Sequence, residues 1–169
     1  LRLVGSEMCI RDRFITQDNG PGIPRDAIED VFGKFLLGSR FHAIRQTRGQ
    51  QGIGITGVVM YSQLTTGAKT NVISKIKNEN SAVFVELGLD TRKNRALKTG
   101  EKRDVWIDER NGQDIEQGLR IKTVMKGKYQ KGKQSVHQYL RMTSIVNPHA
   151  SISLIAVSYT HLTLPTNRE

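Results

Sequence analysis

Two short runs in this sequence carry residue types from which a ligand site can be built. The first is Asp18-Asn19-Gly20-Pro21-Gly22-Ile23-Pro24, a carboxylate followed at alternate positions by two glycines. Such a carboxylate can accept a hydrogen bond from an exocyclic amine, as adenine N6 supplies, and the glycines let backbone approach a flat ring. The second is Gly49-Gln50-Gln51-Gly52-Ile53-Gly54-Ile55-Thr56, which runs into a helical stretch. Exposed N–H groups at a helix start, together with the helix dipole, favour phosphate. Singly, each run has an ordinary reading: every residue of the first suits a turn, and glycines before a helix also serve tight packing. Together, in this order and about thirty residues apart, they describe a nucleotide site with the base at one end and phosphates at the other. Neither a Rossmann strand–GxGxxG–helix unit nor a Walker-type Gly-Lys-Ser/Thr loop is present.

Other reactive residues form no constellation. His42, His137 and His149 are scattered and take structural or surface roles, His149 as a turn cap after Pro148. Trp106 sits among alternating residues as core or sheet surface. The basic run Lys126 to Lys133 is read as a solvated loop, with contact to DNA phosphates as the alternative, because Tyr129 is its one aromatic and base stacking needs more.

The elements that must position the two runs follow from periodicity. Phe14 and Ile15 lead as a strand into the Asp18–Pro24 turn. A helix follows, with Pro24 in its first turn, Asp26 and Glu29 near its positive end, and Ala27, Ile28, Val31, Phe32 and Phe35 as its core face. Leu37 to Gly49 has basic residues and no period, and reads as a mobile loop. A second helix opens at Gly52 to Gly57 and runs to about Gln63. Beyond Gly67 the period becomes two: a strand near Thr70 to Ile76, then Val83, Val85, Leu87 and Leu89, then Val105 and Ile107, then Leu119 and Ile121. Asn94 to Arg103 and Lys126 to Lys133 read as connections. A last helix near Gln134 to Thr143 places Val136, Tyr139, Leu140 and Thr143 on one side. Helices followed by successive strands predict an α+β sandwich, with helices on one face of a mixed, largely antiparallel sheet.

Composition sets the outer bounds. The 169 residues suffice for one domain with a hydrophobic core. A formal charge of +10 favours anionic partners: nucleotide phosphates, nucleic acid or an acidic membrane surface. One cysteine, Cys9, excludes an intramolecular disulfide and zinc-site spacing. The apolar stretch Ile53 to Met60 is too short to span a bilayer, so a cytoplasmic setting is expected. Residues 1–13 and 156–169 resemble translated sequencing-adapter sequence, which leaves residues 14–155 as the native part, expected to be a window from a longer protein.

The two runs also resemble a known family. Asp18 to Pro24 and Gly49 to Ile55 are similar to the second and third motifs of the GHKL ATPases, which include gyrase, Hsp90 chaperones, MutL and histidine kinases. Phe32 to His42, Thr47 to Gly52, Leu64 to Gly67, Tyr129 to Leu140 and Ile145 to Ala150 are more similar to the B subunits of type IIB DNA topoisomerases, the topoisomerase VI kind. The match spans about residues 14–155.

The resemblance implies a Bergerat-type ATP-binding domain, truncated at its N-terminus. In it Asp18 binds the adenine amine beside Gly20 and Gly22. Ser39 and Arg40, where the family commonly has Ser-Lys, reach the nucleotide from a lid. Gly49, Gln50, Gln51, Gly52, Ile53, Gly54, Ile55 and Thr56 wrap the phosphates. Arg40 keeps the charge of lysine but presents a planar fork. The family's first motif, which supplies the water-activating Glu and the Mg²⁺-binding Asn, is not found before Asp18, so no catalytic or metal-ligating residue is expected in this chain. The lysine of the downstream transducer domain is likewise outside it. For a parent protein the resemblance implies ATP and Mg²⁺ as cofactors, DNA and a cleaving A subunit as partners, dimerisation of the B subunit on ATP binding, and DNA relaxation or decatenation. Two rivals remain: another GHKL member such as a histidine kinase or MutL-like protein, and a non-hydrolytic scaffold that binds DNA or a partner.

Overall fold

The computed structural model describes residues 11–35, 52–90, 92–93, 95–109, 111–127, 132–154 and 162–163. The chain divides into two units, residues 1–127 and 128–169.

In the first unit the chain forms a five-stranded sheet. Its strands are β1 (Arg11–Asp18), β2 (Thr70–Lys75), β3 (Ala82–Asp90), β4 (Arg95–Asp104) and β5 (Gly118–Lys126), in the order β1-β5-β2-β3-β4. Every pairing among them is antiparallel, in a sheet expected to be mixed and largely antiparallel. Val83, Val85, Leu87 and Leu89 are buried on one face, as their alternation predicts. With Val72 on the central strand they form the core onto which α1 (Arg25–Gly33) brings Ile28 and Phe32, and α2 (Gly54–Thr66) brings Val59. Both helices therefore lie on one face of the sheet, the α+β layering expected from the sequence.

Several local readings need correction. Arg95 to Asp104, expected to be a connection, is edge strand β4. Its Lys/Arg content is what an edge strand tolerates, because one side of its ladder faces water. The predicted strand through Val105 and Ile107 is out of phase: both are about half exposed while Trp106 between them is buried, and Ile107 makes one isolated bridge to Asp114. Pro24 caps α1 from outside; its carbonyl accepts from the Ala27 N–H at 2.9 Å. Helix α2 runs past Gln63 to Thr66; Thr65 and Thr66 donate their hydroxyls to the carbonyls of Tyr61 and Ser62, each at 2.7 Å, and Gly67 closes the helix with a left-handed φ of 70°. Its inward face is partly polar. Thr56 and Ser62 are fully buried, and Gln63 pairs with both backbone groups of Leu89, donating at 2.8 Å and accepting at 2.6 Å. Val58, Tyr61 and Leu64 face outward instead. The stretch Leu37 to Gly49, read as a loop, lies outside the described residues.

An ionic cluster ties α1 to the edge strand. Arg25 donates from two nitrogens to Glu101, and Lys98 bridges Glu101 at 2.7 Å and Glu29 at 3.2 Å. The hydrogen bond from Arg25, followed by that from Lys98, holds the Glu101 carboxyl down to about 2 from its ordinary 4.5. A depressed carboxylate contributes stability that is complete above the unfolded pKa and fades as pH falls toward the folded one. Between pH 4.5 and 2 the native chain should therefore lose on the order of 1 kcal/mol more stability than Glu101→Gln, a value reduced for solvent screening. Denaturant titrations of both proteins across that range check it; parallel curves would remove the cluster's role.

The second unit contains α3 (Val136–Ile145) and a short ladder of β6 (Ser153–Leu154) with β7 (Leu162–Thr163). Helix α3 starts two residues later than predicted because Ser135 is its N-cap, accepting from the Gln138 N–H at 3.1 Å. On the predicted side Val136 and Tyr139 are exposed and Leu140 and Thr143 half-buried, and no residue of α3 is buried. The turn after Pro148 is closed by the Ala150 N–H to the Asn147 carbonyl at 3.0 Å, with exposed His149 between them. Among the described residues no helix is long and apolar enough to cross a membrane.

Candidate functional site

Strand β1 ends at Asp18 and the chain turns at once. The exposed Asp18 carboxylate accepts the Gly20 N–H at 2.9 Å, which shapes the turn from within. Gly22 takes a left-handed φ of 72°, and a Cβ there would stand 2.4 Å from the Lys75 carbonyl oxygen. Glycine is therefore required twice over at this position, by backbone conformation and by space. Ile23 next turns inward against the core, and its N–H and C=O both bond to the Ser74 hydroxyl at 2.7 Å. From the other side, Gln117 donates to the Asn19 carbonyl at 3.2 Å, and Gly118 brings β5 so close that a Cβ would lie 2.3 Å from the Asp18 carbonyl oxygen. The run is a turn seated between the ends of β2 and β5, with the Asp18 carboxylate on its exposed side.

The described part of the second run is the start of α2. Gly52 has a left-handed φ of 64°, and Ile53 precedes the helix without side-chain capping. Among the described residues, nothing lies within 4 Å of where a Cβ on Gly54 would stand. Thr56 is buried, and its hydroxyl donates to the Lys34 carbonyl at 3.3 Å. Ile55 packs on the same apolar cluster as Ile23. Both runs are thus anchored to one core. Ser39, Arg40, Gly49, Gln50 and Gln51 lie outside the described residues.

Reading the sequence alone missed the residues that hold the turn: Ser74, Lys75, Gln117 and Gly118. One signal was available. Ser74 occupies the inward phase of β2 with Thr70 and Val72, and a hydroxyl buried at a strand position costs stability unless it finds a hydrogen-bond partner. Lys75 is also buried, and its ammonium meets both Asp114 oxygens at 2.8 and 2.9 Å. No group of three or more His, Cys, Asp or Glu among the described residues could hold a metal ion. A groove of about 540 Å³ lies on the sheet face opposite α1 and α2, lined by Ile73, Phe84, Lys102, Arg120 and Lys122 among others, and includes no candidate residue. Its mixed charges are matched within the sheet: Lys102 lies 4.8 Å from the Phe84 ring centroid and Arg120 bridges Glu109 at 3.2 Å.

An open antiparallel sheet with helices on one face, carrying a carboxylate–glycine turn at the sheet end, is consistent with a GHKL-like α+β sandwich. No protein-family profile matches the chain. Curated relatives do. It is 47% identical over 144 residues, 85% of its length, to the B subunit of type 2 DNA topoisomerase 6 from Archaeoglobus fulgidus, covering 23% of that protein. It is 46% identical over 142 residues to that of Methanococcoides burtonii, covering 83% of the chain and 22% of the relative. With that of Thermococcus gammatolerans it shares 41% over 160 residues, 93% of the chain and 27% of the relative. The chain belongs to the family of type 2 DNA topoisomerase 6 B subunits. It spans about a quarter of the length of these relatives.

Proposed function

We propose that this chain is an ATP-binding part of a type IIB topoisomerase B subunit and that its Asp18–Pro24 turn receives the adenine. The supporting observation is the placement over one apolar cluster of two features: the turn that exposes the Asp18 carboxylate, and the N-terminus of α2, which among the described residues carries no side-chain cap. Asp18 accepts the N6 amine while Gly20 and Gly22 leave room for the ring. Backbone N–H groups from Gly52 to Thr56 meet the phosphates with the positive end of the helix dipole. Ser39, Arg40 and the Gly49–Gln51 run complete the lid and phosphate contacts. Mg²⁺ would neutralise phosphate charge, and its protein ligand comes from a motif upstream of Asp18 in the parent protein.

In such a parent, working in the cytoplasm, ATP binding would drive B-subunit dimerisation around DNA while an A subunit cleaves the second duplex. The chain itself binds and orients the nucleotide without hydrolysing it. Phosphoryl transfer needs an in-line water held by a base, and none of the residues assigned to the site can supply that geometry. The test is a titration of the purified chain with a fluorescent ATP analogue, followed by competition with ATP and GTP. Saturable binding displaced by ATP in preference to GTP is expected, with no magnesium-dependent turnover. Equal displacement by GTP would contradict the adenine assignment, and turnover above contaminant level would contradict the division of labour.

A further inference from the structure

The Asp18–Pro24 turn is held most firmly at a point remote from its carboxylate. Ser74 is 1% exposed and lies on the face of β2 that carries Val72 into the core. An aliphatic side chain would suit that apolar position, whereas a hydroxyl buried there costs stability unless it is bonded. Both of its hydrogen bonds, at 2.7 Å, go to Ile23, one to the N–H and one to the C=O. Its neighbour Lys75 supplies the carbonyl that abuts Gly22, and is itself held by Asp114. Two consecutive residues of β2 thus fasten two consecutive residues of the turn, while the Asp18 carboxylate bonds locally, to the Gly20 N–H.

We infer that Ser74 is a positioning residue for nucleotide binding: by clamping both backbone polar groups of Ile23 it sets where the Asp18 carboxylate stands relative to a bound base. This rests on the nucleotide reading of the turn. Ser74 touches no ligand in this role; it restricts the turn to one arrangement before the ligand arrives, so that binding does not have to order it.

The test compares the full chain with Ser74→Ala, Ser74→Thr and Val72→Ala, the last being a core truncation on the same strand face. Three quantities are read: amide hydrogen exchange at Ile23, affinity for the fluorescent ATP analogue, and melting temperature. Ser74→Ala should speed exchange at Ile23 about tenfold or more, since local opening no longer breaks a clamp. It should weaken analogue binding by about five- to tenfold, the effect of losing hydrogen bonds that preorganise a site. Val72→Ala should lower the melting temperature at least as much while leaving both local readings near native. Ser74→Thr, which keeps the hydroxyl, should restore both. Native-like exchange and affinity in Ser74→Ala would overturn the positioning role, as would loss of both in Val72→Ala. If the unsubstituted chain binds no analogue, the nucleotide reading fails first and the role of Ser74 toward a base falls with it.

Discussion

Replacing Asp18 by Asn is expected to weaken binding of an ATP analogue by about ten- to a hundredfold while leaving the fold intact, the range for hydrogen bonds to a charged group. The reason lies in the number of acceptor oxygens. One Asp18 oxygen is already engaged by the Gly20 N–H at 2.9 Å. A carboxylate has a second oxygen to offer an exocyclic amine, but a carboxamide has only one. The substituted amide must keep the turn bond and present its NH₂ to another NH₂, or give up the turn bond to accept from the ligand. The side chain is exposed, so stability should change by no more than about 0.5 kcal/mol. Affinity and thermal unfolding measured on the same preparations separate the two effects. Unchanged affinity in Asp18→Asn would remove the adenine role, even if the chain binds nucleotide by its phosphates.

The largest loss of stability is expected from Gly33→Ala. Gly33 ends α1 where that helix meets β4, and a Cβ there would stand 2.1 Å from the Ala96 backbone nitrogen and 2.4 Å from its Cβ. No rotamer relieves this overlap, because the atoms in conflict are Cβ and backbone. Helix and strand must separate, which opens the seam around Phe32 and stretches the Arg25–Glu101 and Lys98–Glu29 contacts that tie the same two elements. Overpacking alone costs about 1–3 kcal/mol, and shared loss of the ionic ties raises the expected total to about 3 kcal/mol or more, since effects in one contact region are not independent. Urea unfolding should show a lower midpoint with little change of slope. A midpoint equal to the native one would mean that α1 and β4 tolerate a methyl group between them, against the close approach at Ala96.

The helix after the first turn, the helix opened by the glycine run, the strand β2 and the strand phases of β3 and β5 were legible in the residues. Each follows from local chemistry: Pro24 before an apolar face at helical spacing, Gly67 after a helix, and Val83 to Leu89 in strict alternation. Resemblance to the topoisomerase VI B family was legible too, and the relatives bear it out. The edge strand β4 was not. Its burial pattern has one inward residue, Ala96, and an edge strand with one covered side and many charges has the composition of a loop. The phase of Val105, Trp106 and Ile107 also failed, because an apolar triplet reads equally well with either parity until a partner strand chooses one. Helix α2 is apolar around most of its circumference, so periodicity could not say that Thr56, Val59 and Ser62 face the sheet while Tyr61 and Leu64 face outward.

For the candidate site the division is similar. The residue types suited to touch a nucleotide, Asp18 with Gly20 and Gly22 and the glycines ahead of α2, stand close together in the chain, and short-range spacing is what a sequence displays. What seats them comes from far along the chain: Ser74 is 51 residues from Ile23, and Gln117 is 98 residues from Asn19. Such contacts exist only once β2 and β5 lie side by side, and strand order depends on long-range pairing that no local pattern encodes. The sequence by itself determined the family and the residue types from which a ligand site can be built. Only the tertiary structure decided which buried hydroxyl, carbonyl and glycine contacts hold the turn in place.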